Sequence, residues 1–191
     1  MVSAGILACF GPKIYEFYGQ TLAALHENDK TIRNVSPNTV FPAMSFNFGP
    51  TAATLEHTDF QNYAGGFCIV TALGNFDPTR SAHLYVRELK LVFEFPAGAS
   101  IMLPSALLHH GNTTLVDNDE RGSITLYGAG SLFRWPDQGF QTDESMPSAK
   151  RIEFNAMKPI RRQEALDRFS KVGELAEDQD KVFHASDGQE E

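Results

Sequence analysis

Between Gly11 and Asn28 the chain reads GPKIYEFYGQTLAALHEN, and Ile14, Phe17, Tyr18, Leu22 and Leu25 recur at the intervals of one helical face. Pro12 stands where a first helical turn tolerates proline, because the amide it lacks would have no partner there. The spacing predicts an amphipathic helix. After a polar connection the texture changes to short apolar or alternating runs cut by Gly, Pro, Asn and Asp: FPAMSFNF, FCIVTALG, AHLYV, LKLVFEFP, ASIMLP and GSITLYGA. Six or more strands at such spacing predict a sandwich or jelly roll. RRQEALDRFSKVGELAED returns to helical period through Leu166, Phe169, Val172 and Leu175, and QDKVFHASDGQEE reads as a disordered end. The expected fold is mainly β with flanking helices.

Composition narrows the class. With 191 residues, 42% of them hydrophobic, and 15 Phe, the chain suffices for one ordinary core and is short for two. The expected division is a domain over 1–147, a basic helical extension over 148–173 and an acidic tail over 174–191. No apolar run approaches the ~20 residues needed to cross a bilayer, and no basic residue precedes the opening apolar stretch as in a secretory signal. The expected location is intracellular, and nuclear if the protein acts on nucleic acid. Cys9 and Cys68 are too few for a disulfide framework or a thiolate metal site, and read as small core residues.

Charge changes the picture through its distribution. The net −8 is carried mostly by the tail, where residues 174–191 hold seven acids against one lysine. Just before it, AKRIEFNAMKPIRRQEALDRFSK holds seven basic residues, Lys150, Arg151, Lys158, Arg161, Arg162, Arg168 and Lys171, against three acids. Such a run is either a solvated helix face or a phosphate-facing patch.

The chemistry sits in two separated motifs. In ATLEHTDFQN, His57 and Asp59 are one residue apart; some fifty residues later LPSALLHHGNTTL brings His109 and His110, and ten residues separate His110 from Arg121. Ser123 follows Arg121 at the second position. Two imidazoles and one carboxylate on one face of an octahedral metal form the triad of non-haem Fe(II) oxygenases, with three positions left open. Alternation along a strand lets His57 and Asp59 point to the same side. An arginine nearby supplies a planar fork for the far carboxylate of a dicarboxylate co-substrate, and Ser123 would face the same way. Periodicity is neutral between His109 and His110, while the spacing to Arg121 favours His110. His26, His83 and His184 have no partners in sequence.

From Pro12 to Thr142, through SFNFGPTAATLEHTDFQN, GFCIVTALGNFDP, LKLVFEFPAGASIMLPSALLHHGN and ERGSITLYGAGSLFRW, the chain resembles the 2-oxoglutarate and Fe(II)-dependent dioxygenases, and within them the TET/JBP group with its transposon-associated members. The resemblance implies a double-stranded β-helix (jelly roll, cupin-like) core with a flanking N-terminal helix. It also implies metal ligands His57, Asp59 and His110, a 2-oxoglutarate-binding Arg121, and Tyr127 as the aromatic that helps to seat the first metal histidine. The implied cofactors are Fe(II) and 2-oxoglutarate, with O2 as co-substrate and DNA or RNA as partner. The implied reaction is hydroxylation of the methyl group of a methylated base such as 5-methylcytosine, since Asp59 fills the position that halogenating relatives leave open. Arg87, Arg134 and the 150–171 patch are candidates for phosphates, and Asn47 and Asn62 for co-substrate or base. The chain departs from the group's pattern at Ser81 and Ala82, which replace two glycines. A hydroxylase of the same fold acting on a protein side chain or small molecule, and a non-catalytic relic, are the competing readings.

Overall fold

The computed structural model describes residues 2–116 and 118–184. The chain opens with α1 (Val2–Phe10) and α2 (Pro12–Asn28). α2 is the helix that the periodicity predicts, with Pro12 in its first turn and Ile14, Tyr18 and Leu25 buried. Strands follow as β1 (Ala43–Asn47), β2 (Cys68–Asn75), β3 (Leu84–Val86), β4 (Leu91–Phe93), β5 (Ser100–Leu103), β6 (His110–Asn112) and β7 (Glu120–Tyr127). All the runs expected to be strands contribute one, and β6 adds the histidine segment. The helices α3 (Gly130–Asp137), α4 (Ser148–Ala156), α5 (Lys158–Asp167) and α6 (Leu175–His184) complete the chain.

The strands form two antiparallel sheets, ordered β1-β7-β2-β5 and β4-β3-β6. β7 is central to the larger sheet, and its Ser123 lies opposite Asn47 on one side and Ala72 on the other. Alternation gives that sheet two different faces. On one, Ile69 and Leu126 pack with Leu7, Ile14, Tyr18, Phe41 and Phe133 from the helical side. On the other, Ala72 meets Leu84 and Phe95, with Val70, Phe93 and Ile101 packed against them, so this second core lies between the two sheets. Arg121, Ser123, Thr125 and Tyr127 share that inner side and line a cavity. The period of two along β7 thus separates a helix-facing apolar set from a cavity-facing polar set.

Three expectations are corrected. The chain is not mainly β: about 34% is helix against about 21% strand, because α1, α3 and α4 form in stretches too short or too mixed to show a period. The single helical period through Leu166, Phe169, Val172 and Leu175 is broken, since α5 ends at Asp167 and α6 begins at Leu175. In the turn between them Val172 is 96% exposed, while Phe169 packs edge-on against Phe67 at 5.1 Å. The first part of the stretch expected to be disordered, 179–184, belongs to α6, which packs on α1 and α2. There Asp178 is buried and pairs with Lys13 at 3.3 Å, and the Gln179 side chain donates to the Cys9 carbonyl at 2.6 Å. The rest of that tail, 185–191, lies outside the described residues.

Cys68 is a buried core residue whose thiol burial pushes up to about 12, and Cys9 is partly exposed. Among the described residues no helix is long and apolar enough to cross a membrane.

The packing of α6 has a measurable consequence. Removing residues 175–191 strips the cover from α1 and α2 and should lower stability by about 1–3 kcal/mol, read as a fall in thermal midpoint; an unchanged midpoint would show that α6 contributes nothing to the fold.

Candidate metal centre

The 54–57 segment runs along the free side of β6. His57 and His110 exchange both main-chain hydrogen bonds, at 3.1 and 3.0 Å, and the amide of Asn112 donates to the carbonyl of Thr54 at 2.9 Å. His57 therefore sits in an isolated antiparallel bridge, and Asp59 lies beyond it in irregular chain rather than in a strand. Gly111 is what lets the segments approach so closely: a Cβ there would meet the Tyr85 hydroxyl at 2.6 Å and the Thr54 carbonyl at 2.9 Å. Directly opposed residues bring their side chains together, and the two imidazole centroids are 4.5 Å apart.

Each imidazole is oriented by its own backbone. Nδ1 of His57 lies 2.9 Å from the Leu55 carbonyl, and Nδ1 of His110 lies 2.9 Å from the Leu108 carbonyl. A carbonyl can only accept, so in a neutral ring each Nδ1 carries the proton and each Nε2 presents a lone pair. Backbone acceptors behind metal-ligating histidines do this in metal sites generally. Nε2 of His57 is 3.4 Å from one Asp59 carboxylate oxygen, and Nε2 of His110 is 4.0 Å from the other. One donor atom from each of the three residues lies within 4.8 Å of the others. Side-chain exposure is 39% at His57, 30% at Asp59 and 8% at His110, so the cluster opens to solvent on the His57 side.

Asp59 is placed by Ser105, which sequence reasoning missed, and by Asn62, whose side chain holds the metal segment rather than standing free for co-substrate or base. Its amide donates to the Ser105 carbonyl at 2.9 Å, and Asn62 donates both to its carboxylate and to the Ser105 hydroxyl, each at 3.2 Å. Ser105 is buried on the loop that leads to His110, so one short segment supports two of the three donors. Its only sequence signal is a Pro-Ser turn upstream of the histidine pair. Thr54 and Gly111 carried no signal at all, because their roles depend on the pairing of two distant segments.

The cluster lines one end of a cavity of about 370 Å³ between the sheets, together with Arg121, Ser123, Asn47 and Tyr127. Arg121 is 2% exposed. One terminal nitrogen donates to the Ala52 carbonyl at 2.8 Å, and Nε is buried with no partner. Among the described residues no acid pairs with it, and burial lowers its pKa from the ordinary value. An arginine still remains charged under such a shift. A buried cation lacking a carboxylate is costly, and an anion entering the cavity would relieve that cost. The Ser123 hydroxyl accepts from the Asn47 side chain at 2.9 Å, which joins β1 to β7 beside Arg121.

His109 points elsewhere: its Nδ1 is 2.6 Å from Glu88, its amide donates to the same carboxylate at 2.8 Å, and this holds the Glu88 carboxyl below its usual range. His83 lies near Thr113, at 3.4 Å, and His26 and His184 are on α2 and α6. Arg87 is tied to Glu56 at 2.7 Å, and Arg134 faces a different cavity. Where the two glycines of the pattern are replaced, Ser81 is buried and accepts from the Val116 amide at 3.2 Å, while Ala82 adopts the left-handed φ of +55°. The unusual torsion that a glycine would supply is thus kept by an alanine, at a cost of about 1–2 kcal/mol.

No protein-family profile matches the chain, and no curated protein matches it. Among solved structures it is similar to one described as NgTET1 in complex with 5mC DNA, at 16% identity and a TM-score of 0.42, over 58% of this chain. The match spans about half of that protein, 47% of its length.

Loss of any donor should remove divalent-metal binding. Alanine at His57, Asp59 or His110 is expected to abolish calorimetric binding of Mn(II) or anaerobic Fe(II) with the circular dichroism kept, whereas His109→Ala should bind as wild type; equal loss at His109 would exclude the assignment to His110.

Proposed function

We propose that the chain is an Fe(II)- and 2-oxoglutarate-dependent oxygenase on a double-stranded β-helix core, and that it hydroxylates the methyl group of a methylated nucleic-acid base such as 5-methylcytosine. The observation that carries the reading is the convergence, on one cavity, of three metal-type donors and a buried arginine without an acidic partner. The donor set fits ferrous iron: two neutral imidazoles and one carboxylate suit it, and donors on one face leave the opposite positions free. The resemblance of the motifs to the TET/JBP group supports the choice of base over other substrates.

Ferrous iron with bound 2-oxoglutarate and dioxygen would supply the oxidising power for a C–H hydroxylation, which no side chain provides by itself. The chain's own residues have four tasks. His57 and His110 offer Nε2 because Leu55 and Leu108 hold the opposite nitrogens. Asp59 brings the negative charge, kept in place by Asn62 and Ser105. Arg121 binds the far carboxylate of the co-substrate: the Ala52 carbonyl holds one terminal nitrogen, and among the described residues no acid neutralises the guanidinium. Asn47 and Ser123 hold the wall beside it, and Tyr127 lines the same cavity.

A substrate would enter on the side of His57. The exposed side chains flanking the metal motif include two large apolar ones, Leu55 at 88% and Phe60 at 79%, beside Glu56 and Gln61. An apolar mouth can stack on a base extruded from its helix, and it equally favours the second reading, an apolar protein or small-molecule substrate. Arg87 is taken by Glu56, so this rim supplies little positive charge of its own.

Succinate release with Fe(II) and 2-oxoglutarate decides between these readings. It should be stimulated by DNA carrying 5-methylcytosine over unmethylated DNA, with the oxidised base found by mass spectrometry; turnover without any response to nucleic acid would move the assignment to the second reading, and no turnover would leave a relic. Arg121→Ala removes one side of a buried charge pair, worth ~3 to 5 kcal/mol. The apparent 2-oxoglutarate affinity should fall by about two orders of magnitude or more, and an unchanged titration would assign the carboxylate to another cation.

A further inference from the structure

A second cavity, of about 580 Å³, lies under α3, α4 and α5, away from the metal donors. Its inner wall is aromatic. Phe17, Tyr63 and Phe133 form a cluster with centroids 4.8–5.5 Å apart, and Phe154 of α4 lines the cavity across from them. Two half-buried guanidiniums lie over these rings: Arg168 over Phe17 at 3.9 Å, also donating to the Tyr63 hydroxyl at 3.0 Å, and Arg161 over Phe154 at 3.8 Å. Arg134, Lys158 and Arg162 stand on the rim, exposed, and among the described residues none of them forms an ion pair. Asp137, Asp143 and Glu164 also line the cavity, so five cations face three acids. Burial raises the Asp137 carboxyl from its ordinary value, against the attraction of Arg161 and Arg168.

We infer that this cavity is a binding site for a small planar aromatic anion of the nucleoside monophosphate kind, with its ring among Phe133, Phe154 and the stacked arginines and its phosphate on Lys158, Arg162 and Arg134. The volume is that of an ordinary small-ligand pocket, with aromatic and aliphatic walls and a heavily charged border. Guanidinium planes and aromatic faces both accept a planar ring. The unpaired rim cations provide charge-assisted contacts to phosphate. Of the basic run at 150–171, Arg161 and Arg168 are half-buried and Lys158 and Arg162 border the cavity, while Lys150, Arg151 and Lys171 stand on solvated surface. The site also adjoins the metal segments. Leu107 comes three residues before His110, and Tyr63 and Ala64 follow Asn62, so an occupant would touch both loops that support the donors.

Adenosine monophosphate titrated into the full chain and followed by calorimetry should bind saturably, while adenosine and inorganic phosphate alone should bind at least about tenfold more weakly, as expected when either half of the contact set is lost. The variant Lys158→Glu with Arg162→Glu, at exposed positions that should not disturb folding, should weaken the nucleotide by about tenfold or more; Phe154→Ala should weaken it with the charges intact. Arg121→Ala and His110→Ala should leave it unchanged. Equal binding of phosphate alone would show a mere anion patch. Loss of binding in Arg121→Ala would place the ligand in the metal cavity. A saturating duplex fragment that senses Lys158 and Arg162 while the free nucleotide does not bind would assign the surface to a phosphate backbone. Any of these three results, or no saturable signal, overturns the inference.

Discussion

Two main-chain hydrogen bonds between His57 and His110 hold the centre together. Each is worth only about 1 kcal/mol net, yet they fix which residues of two distant segments stand side by side. With that pairing in place, both imidazoles face the same cavity and Asp59 follows two residues later. The pairing is itself supported from outside: the Asn112 amide reaches Thr54, the Asp59 amide reaches Ser105, and Gly111 leaves room for the approach. A slip of one residue would turn the other face of β6 inward. His109 would then replace His110, and its bonds to Glu88 would be lost. The Glu88 carboxylate thus acts as an anchor that opposes the wrong register.

β7 contributes the opposite wall under a different constraint. Its inner side carries Arg121, Ser123, Thr125 and Tyr127, a polar series where an apolar one would pack better against the second sheet. Arg121 is buried with one carbonyl partner and an unsatisfied Nε. Among the described residues no acid pairs with it, and hydrophobic replacement of buried charge is often stabilising. Local cost of this kind is expected at sites kept for a ligand. The left-handed Ala82 is a second local cost, borne near the same inter-sheet space.

The elements visible in the sequence are those whose pattern is local. The period of α2 and the alternation of β2 and β7 are complete within each run, so their positions follow from residues alone. The donors could be named for a similar reason: His57, Asp59, His110 and Arg121 stand in fixed spacings within two short motifs. What escaped the sequence depends on tertiary pairing. Alternation could not choose between His109 and His110; Glu88, twenty-one residues before His109, shows where the former points. Ser105 and Gly111 matter only because of what is opposite them. The half of α6 from Gln179 onward reads as a disordered end because it shows no helical period, although Gln179 finds the backbone of α1 and the adjoining Asp178 finds Lys13. The helical period across 161–178 ran over a turn because Phe169 continues the apolar spacing while packing on Phe67 from outside any helix.

Diffraction from crystals grown with Mn(II) and 2-oxoglutarate tests the central claim most directly. Mn(II) prefers the same nitrogen and oxygen donors without oxidising under air as ferrous iron does. The account predicts one anomalous peak bound by Nε2 of His57, Nε2 of His110 and the Asp59 carboxylate, with the far carboxylate of 2-oxoglutarate on Arg121. A peak on other residues, or a co-substrate whose far carboxylate rests on a different cation while Arg121 stays unpaired, would contradict it.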